Sequence, residues 1–261
     1  REGVVYEWGS PYSEIDYSIP PKPQPKKVKE PLGVQVKEIS CGDYHNAVLA
    51  KTPNAVFTWG GNGYGQLGYE SPENPYLSLT PRPVNIKYDI AAASCGGLFT
   101  VIRLKNGTVM GFGSNKYKQL GEFKAEVRKP MVILDGEKNS VAHVVCGHSH
   151  TGLVDKKGVV FMLGKGQVGQ LGSGKLESTH IPTPITHPLH GVAVIQLACG
   201  WQHCLCVVET GEVYSWGYNR DGQLGLGDFY DRSWPVKVPG LDIIKRVSAG
   251  HVHSGCISIE K

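Results

Sequence analysis

The sequence predicts an all-β protein, a ring of five similar four-stranded antiparallel units, and three repeating registers predict it. Gln-Leu-Gly begins at Gln66, Gln119, Gln170 and Gln223, at intervals of 53, 51 and 53 residues. A small residue followed by Gly stands at Cys41-Gly42, Cys95-Gly96, Cys146-Gly147, Cys199-Gly200 and Ala249-Gly250. A bulky apolar residue followed by Gly stands at Trp8-Gly9, Trp59-Gly60, Phe112-Gly113, Leu163-Gly164 and Trp216-Gly217. A shared period of roughly fifty residues is in the range of a β-propeller blade, and each such unit buries its apolar faces only against its neighbours.

Within each unit the stretch between the small-Gly and bulky-Gly pairs reads as a β-hairpin. In the fourth, Cys199 to Val208 is one strand, Glu209-Thr210-Gly211 the turn and Glu212 to Trp216 the return. The equivalent turns are Thr52-Pro53-Asn54, Lys105-Asn106-Gly107 and Lys156-Lys157-Gly158. Gly and Asn accept the positive φ that tight hairpins demand. A polar Gly-rich loop follows, such as Gly217 to Gly225, and then an extended segment with proline, Trp234-Pro235-Val236-Lys237-Val238. Proline fits there as an edge or strand-entry residue.

The two ends look complementary. Residues 247–261 supply a small-Gly pair and one hairpin strand, and residues 1–9 a return strand with its bulky-Gly pair. Joined, Ile257 to Lys261 and Gly3 to Gly9 would complete one hairpin, which would seal a ring of five blades and remove two exposed edges. The expected division is a single domain over 1–261, with units at about 34–85, 86–138, 139–191 and 192–241 and a split unit from 242–261 plus 1–33.

Composition narrows the function classes. The net charge of +4 is too modest to indicate direct nucleic-acid binding, which wants a strongly basic face. No apolar run is long enough to span a bilayer. The chain begins at Arg1 without Met, as an excised domain or processed product would. Four of the seven cysteines fill the same slot before the recurrent glycine, as buried small residues do, where a disulfide framework would favour paired loop positions. An intracellular setting, cytoplasmic or nuclear, is expected.

The combined pattern Cys-Gly-x-x-His, turn, Val-Tyr-x-Trp-Gly-x-Asn-x-x-Gly-Gln-Leu-Gly resembles the repeat of the regulator of chromosome condensation family. Its best copy runs from Cys199-Gly200-Trp201-Gln202-His203 through Val213-Tyr214-Ser215-Trp216-Gly217-Tyr218-Asn219 to Gln223-Leu224-Gly225, and the likeness covers practically the whole chain. The resemblance implies a β-propeller. It also implies binding roles: the founding member has seven blades and exchanges nucleotide on the Ran GTPase while bound to nucleosomes. Relatives serve as binding platforms, photoreceptors, or domains of ubiquitin ligases and kinases. Five units in place of seven would move the loops of any site spread over several blades.

Four features are candidates for function. The recurrent His45, His150, His203 and His253, with Phe99 in one copy, stand in Cys-x-x-x-His spacing in three units. Structural zinc needs four convergent ligands and each pair belongs to a different unit, so these histidines are expected to be buried and hydrogen-bonded, with no metal. Gly63 to Gly68 matches a dinucleotide fingerprint in letters only, because no helix follows it.

The variable positions between the recurrent glycine and the histidine project at equivalent places along one rim. Asp43, Tyr44, Leu98, His148, Trp201, Gln202 and His251 are therefore the expected partner-binding residues. In the founding family member acidic side chains in this region help engage the GTPase, and only Asp43 matches that charge here. Lastly, the departure after Trp8-Gly9 forms a basic Pro-rich loop with Lys22, Lys26 and Lys27, suited to an acidic protein surface. Its bland alternative is a longer connection holding Pro25 and Val28 in an outer strand.

No P-loop, paired carboxylates or nucleophile–base set is present, so neither catalytic chemistry nor a cofactor is expected. The reading is a monomeric protein-interaction scaffold whose partner is a protein, a small GTPase or a histone surface among the candidates. The alternative is a nucleotide exchange factor for a Ran-like GTPase, which works by differential binding. Ultraviolet sensing, suggested by Gly200-Trp201-Gln202-His203, would need a denser tryptophan cluster than Trp8, Trp59, Trp201, Trp216 and Trp234 provide.

Overall fold

The computed structural model describes residues 4–9, 22–28, 34–136 and 140–259. Strands and turns account for all the regular structure among them. Two compact units divide the chain: the first comprises residues 1–116 and 123–139, the second 117–122 and 140–261.

In the first unit, β1 (Tyr6–Gly9) pairs with β2 (Lys22–Lys27) in a two-stranded sheet. A four-stranded meander follows: β3 (Gln35–Cys41), β4 (His45–Thr52), β5 (Ala55–Gly61) and β6 (Leu77–Pro83). A second runs through β7 (Ile90–Cys95), β8 (Phe99–Leu104), β9 (Val109–Ser114) and β10 (Glu126–Leu134).

The second unit repeats the plan with β11 (Val141–Cys146), β12 (His150–Asp155), β13 (Val160–Gly164) and β14 (Thr179–Pro184). Next come β15 (Val194–Cys199), β16 (His203–Val208), β17 (Val213–Gly217) and β18 (Arg232–Lys237). The last hairpin is β19 (Ile244–Ala249) with β20 (Ser254–Ser258).

Every pairing is antiparallel, and the Pro-bearing strand is the outermost of each meander, where a missing N–H costs no ladder bond. The two middle strands of each are the most buried. His203–Val208 is buried throughout, because the third meander packs on one face and the β19–β20 hairpin on the other. In the second unit the core between meanders is formed by Val154, Met162, Leu171, Ile185, Leu197, Cys206 and Trp216.

One expectation fails. The hairpin between the chain ends is not made: β1 pairs with β2 and β20 with β19, in separate sheets. Among the described residues there are four four-stranded sheets and two two-stranded ones, and no fifth blade is completed by the termini. Tyr6 and Trp8 on β1 and Ile257 on β20, which that hairpin would have covered, are 52%, 63% and 62% exposed. The β1–β2 and β19–β20 pairings are those the split unit would contain; what is absent is the β20–β1 pairing, and the two strands belong to different compact units, each of which forms its own sheets. Gly3, Glu260 and Lys261 lie outside the described residues.

Candidate functional site

The recurrent turn places both the rim and a set of buried junctions. Between β15 and β16 the chain reverses at Gly200-Trp201-Gln202-His203, with the Gly200 N–H donating to the His203 carbonyl at 2.8 Å. Glycine is required because the His203 ring folds beneath it. A Cβ on Gly200 would lie 2.4 Å from His203 Cε1 and 2.5 Å from the Gly250 carbonyl. The two residues at the tip are thereby turned outward. Neighbouring turns are also tied backbone to backbone: His148 N donates to Gly200 O at 3.2 Å and Trp201 N to Gly250 O at 3.3 Å. The first unit has the same link from Asp43 N to Gly97 O at 3.0 Å.

In the second unit this row brings aromatic rings together. Trp201 meets His251 at 4.5 Å, Tyr218 at 6.0 Å and His148 at 6.4 Å between ring centroids, all edge-on. Edge-to-face packing suits the ring quadrupoles and holds the indole without burying it. Trp201, Gln202, His148 and Tyr218 are half-buried and His251 is exposed. Tyr218 belongs to the Gly-rich loop after Trp216-Gly217 and was not foreseen among the rim residues; its position directly after the recurrent bulky-Gly pair was the available signal. Asp43 is exposed and Tyr44 and Leu98 are half-buried on the equivalent turns of the first unit.

The described part of the basic segment is a strand. Lys22, Lys26 and Lys27 all lie in β2, in line with the outer-strand alternative, and Lys22 pairs with Glu7 at 3.1 Å. Pro25 is in that strand and Val28 N donates to Val5 O at 2.9 Å. The prolines at 11, 20 and 21 lie outside the described residues.

Beneath the rim, the recurrent histidines reach across to the next repeat. His45 Nε2 is 2.9 Å from Thr100 Oγ1, which donates to the Gln66 carbonyl at 2.9 Å. His203 Nε2 is 3.0 Å from Ser254 Oγ, which donates to the Gln223 carbonyl at 2.7 Å. Since each hydroxyl spends its only proton on the carbonyl, the histidine must donate to it from a protonated Nε2. One repeat thus grips the next through both its histidine and its Gln-Leu-Gly loop. Phe99 occupies the histidine's place in one copy, and there Thr151 Oγ1 donates to Gln119 O at 2.7 Å within the second unit.

The loop is built to present that carbonyl. Gln66 Oε1 accepts from Tyr64 N at 2.9 Å, and Asn62 Oδ1 accepts from Leu67 N at 3.1 Å, so the Asn and Gln of the motif lock the loop from inside. Burial lowers the pKa of His45 and of His203 to about 4.

The junction between the third and fourth meanders departs from this pattern. His150 Nε2 meets Cys204 Sγ at 3.2 Å, where the other junctions have a hydroxyl, and Cys204 faces Gln170 O at 3.5 Å. Cys204 is also the register partner of Cys199, with Sγ–Sγ 3.5 Å. The donor atoms of His150, Cys199 and Cys204 all lie within 4.8 Å of one another, a cluster able to hold a metal ion. Burial opposes ionisation of Cys199, but hydrogen bonds from Cys204 and His150 outweigh it and bring that thiol to about 6. Sequence spacing pairs Cys199 with His203 and Cys146 with His150, whereas the fold brings His150 to Cys199 and Cys204. Nothing within one repeat announces that meeting.

Comparison with known proteins decides the family. The model of the RCC1-like domain matches residues 1–256. The chain belongs to that family. Among its relatives, the probable E3 ubiquitin-protein ligase HERC4 of Rattus norvegicus is 34% identical over 220 residues, covering 83% of this chain and 20% of that protein. The ultraviolet-B receptor UVR8 of Arabidopsis thaliana is 32% identical over 239 residues, covering 88% of this chain and 52% of the receptor. The chain therefore spans about a fifth of the ligase and half of the receptor. Among solved structures, Prp20p of Saccharomyces cerevisiae, described with its binding to Gsp1p and histones, superposes with a TM-score of 0.85 at 22% identity, over 99% of this chain and 65% of that one. That likeness establishes a shared RCC1-like β-propeller fold. Among the described residues, no helix is long and apolar enough to cross a membrane.

Proposed function

We propose that this RCC1-like domain is a protein-interaction scaffold, intracellular in setting, whose rim around Trp201 takes a protein partner. The observation that carries the reading is the Trp201 cluster: a partly exposed indole held edge-on by His148, His251 and Tyr218, drawn from successive repeats. A large aromatic fixed on a rigid turn loses little freedom on binding, which is why such residues dominate interface energetics. Asp43, Tyr44 and Leu98 occupy the same turn position in the first unit and complete the proposed set. The family supports the reading, since relatives carry this domain as one portion of larger proteins.

Binding of captured partners to the purified domain tests it. Trp201→Ala and Tyr44→Ala should each weaken a direct partner by tenfold or more while leaving the urea-unfolding midpoint in place. Unchanged binding by both variants would remove the rim from consideration. A second reading, exchange on a Ran-like GTPase, draws on the likeness to Prp20p. Acceleration of nucleotide release at catalytic ratios would favour it, and stable binding without release would favour the scaffold.

A further inference from the structure

We propose that His150, Cys199 and Cys204 form a binding site for a thiophilic divalent cation, zinc in the first instance. Three observations converge on it, and none depends on the rim. First, the donor atoms are already gathered, with His150 Nε2 3.2 Å from Cys204 Sγ and the two sulfurs 3.5 Å apart. Zinc bonds sulfur at about 2.3 Å and imidazole nitrogen at about 2.0 Å, so tetrahedral angles place sulfurs about 3.8 Å apart and sulfur and nitrogen about 3.5 Å apart. These two gaps need to open by only about 0.3 Å, and the remaining pair, His150 and Cys199, lies within 4.8 Å.

Second, the charges balance. Zinc would displace one proton from each thiol to solvent, and two thiolates with one neutral imidazole cancel its charge, as a buried site requires. His150 and Cys204 are buried and Cys199 is at least half-buried, so the charge must be cancelled within the site.

Third, Cys204 departs from the repeat at this junction. Its position is held by Asn46, Thr100, Thr151 and Ser254 in the other repeats, whereas the position of Cys199 is a cysteine in three of them and Ala249 in the last, so it is Cys204 that turns a recurrent buried thiol into a pair. The hydroxyl alone serves the junction, so a thiol there, opposite a second thiol, supplies something the fold does not need. A disulfide would use two of the donors and leave the imidazole without a part. Two sulfurs and one imidazole select zinc over hard oxygen-seeking cations.

Three protein ligands leave the fourth position open for water, unlike a closed four-ligand structural site. His150 Nδ1 has no hydrogen-bond acceptor to steady the ring, so affinity should be on the order of micromolar, short of that of closed four-ligand sites.

The test is titration of the reduced, purified chain with cadmium, read by thiolate-to-metal charge-transfer absorption, and then with zinc as competitor. One equivalent should bind and be displaced by zinc. Cys199→Ala and Cys204→Ser restore residues found at Ala249 and Ser254, so both should fold and both should weaken binding at least tenfold. Cys146→Ala, at the same repeat slot in the preceding meander, should change it little. Absorption that persists in both variants, or a native mass of the chain as isolated, before reduction, that is two units light with no metal bound (a Cys199–Cys204 disulfide), would overturn the proposal.

Discussion

The junction of His45 with Thr100 and the junction of His150 with Cys204 occupy the same place in two different copies of the repeat, yet they differ in chemistry. In both, an imidazole from one repeat and a Gln-Leu-Gly carbonyl meet one small polar side chain from the next. In the first that side chain is a hydroxyl, which relays a hydrogen bond from histidine to carbonyl. In the second it is a thiol, a weak donor, and a second thiol stands opposite. The comparison separates what the repeat demands from what one copy adds. A buried group must be satisfied to join repeats, and hydroxyl or thiol will do; the choice of sulfur supplies soft-metal chemistry.

The largest expected effect tests whether the two junctions are structurally equivalent. His45→Ala and His150→Ala should each cost about 2–4 kcal/mol, from the cavity and the orphaned partner, measured as a shift in urea-unfolding free energy. A negligible cost at either would break the equivalence. Acid is nearly as severe. The neutral His45 has its pKa lowered by burial from 6.5 to about 4, so the folded state takes up its proton later than the unfolded chain. Stability is therefore full above pH 6.5 and is lost as pH falls toward 4, by on the order of 3 kcal/mol for that group. Unfolding curves between those limits should flatten in the His45→Gln variant; an unchanged slope would show that other groups govern it.

A transplant sharpens the contrast. Thr100 is the register partner of Cys95 and touches His45, so Thr100→Cys should bring two thiols and an imidazole together in the first unit as well. It should add a second equivalent of cadmium absorption at a cost of about 1 kcal/mol in stability. No added absorption would show that matching register and donor set are not enough. The smallest effect on stability is expected at the rim, where Trp201→Ala should cost less than about 1 kcal/mol because the ring is held at an exposed turn.

Much of the fold was legible in the sequence. The hairpins follow from Gly and Asn at turns, the outer strands from proline, and the buried second strands from runs such as His203-Cys204-Leu205-Cys206-Val207-Val208. Trp201, His148 and His251 were legible as neighbours because their turns share one register. Tyr218 was missed because it comes from a different loop. The zinc-type cluster was missed for a related reason: ligands were sought inside single Cys-x-x-x-His segments. The closing hairpin was expected from the missing pieces at the two ends, and the structure leaves β1 and β20 paired only with β2 and β19.

By itself the sequence determined the period, the strands and the positions that point outward, because backbone hydrogen bonding and alternation of burial act over a few residues and leave their mark in local pattern. Which side chains meet across repeats was decided only in three dimensions. The stacking offset between meanders delivers His150 to Cys204, more than fifty positions away, and no periodicity within a strand encodes that offset.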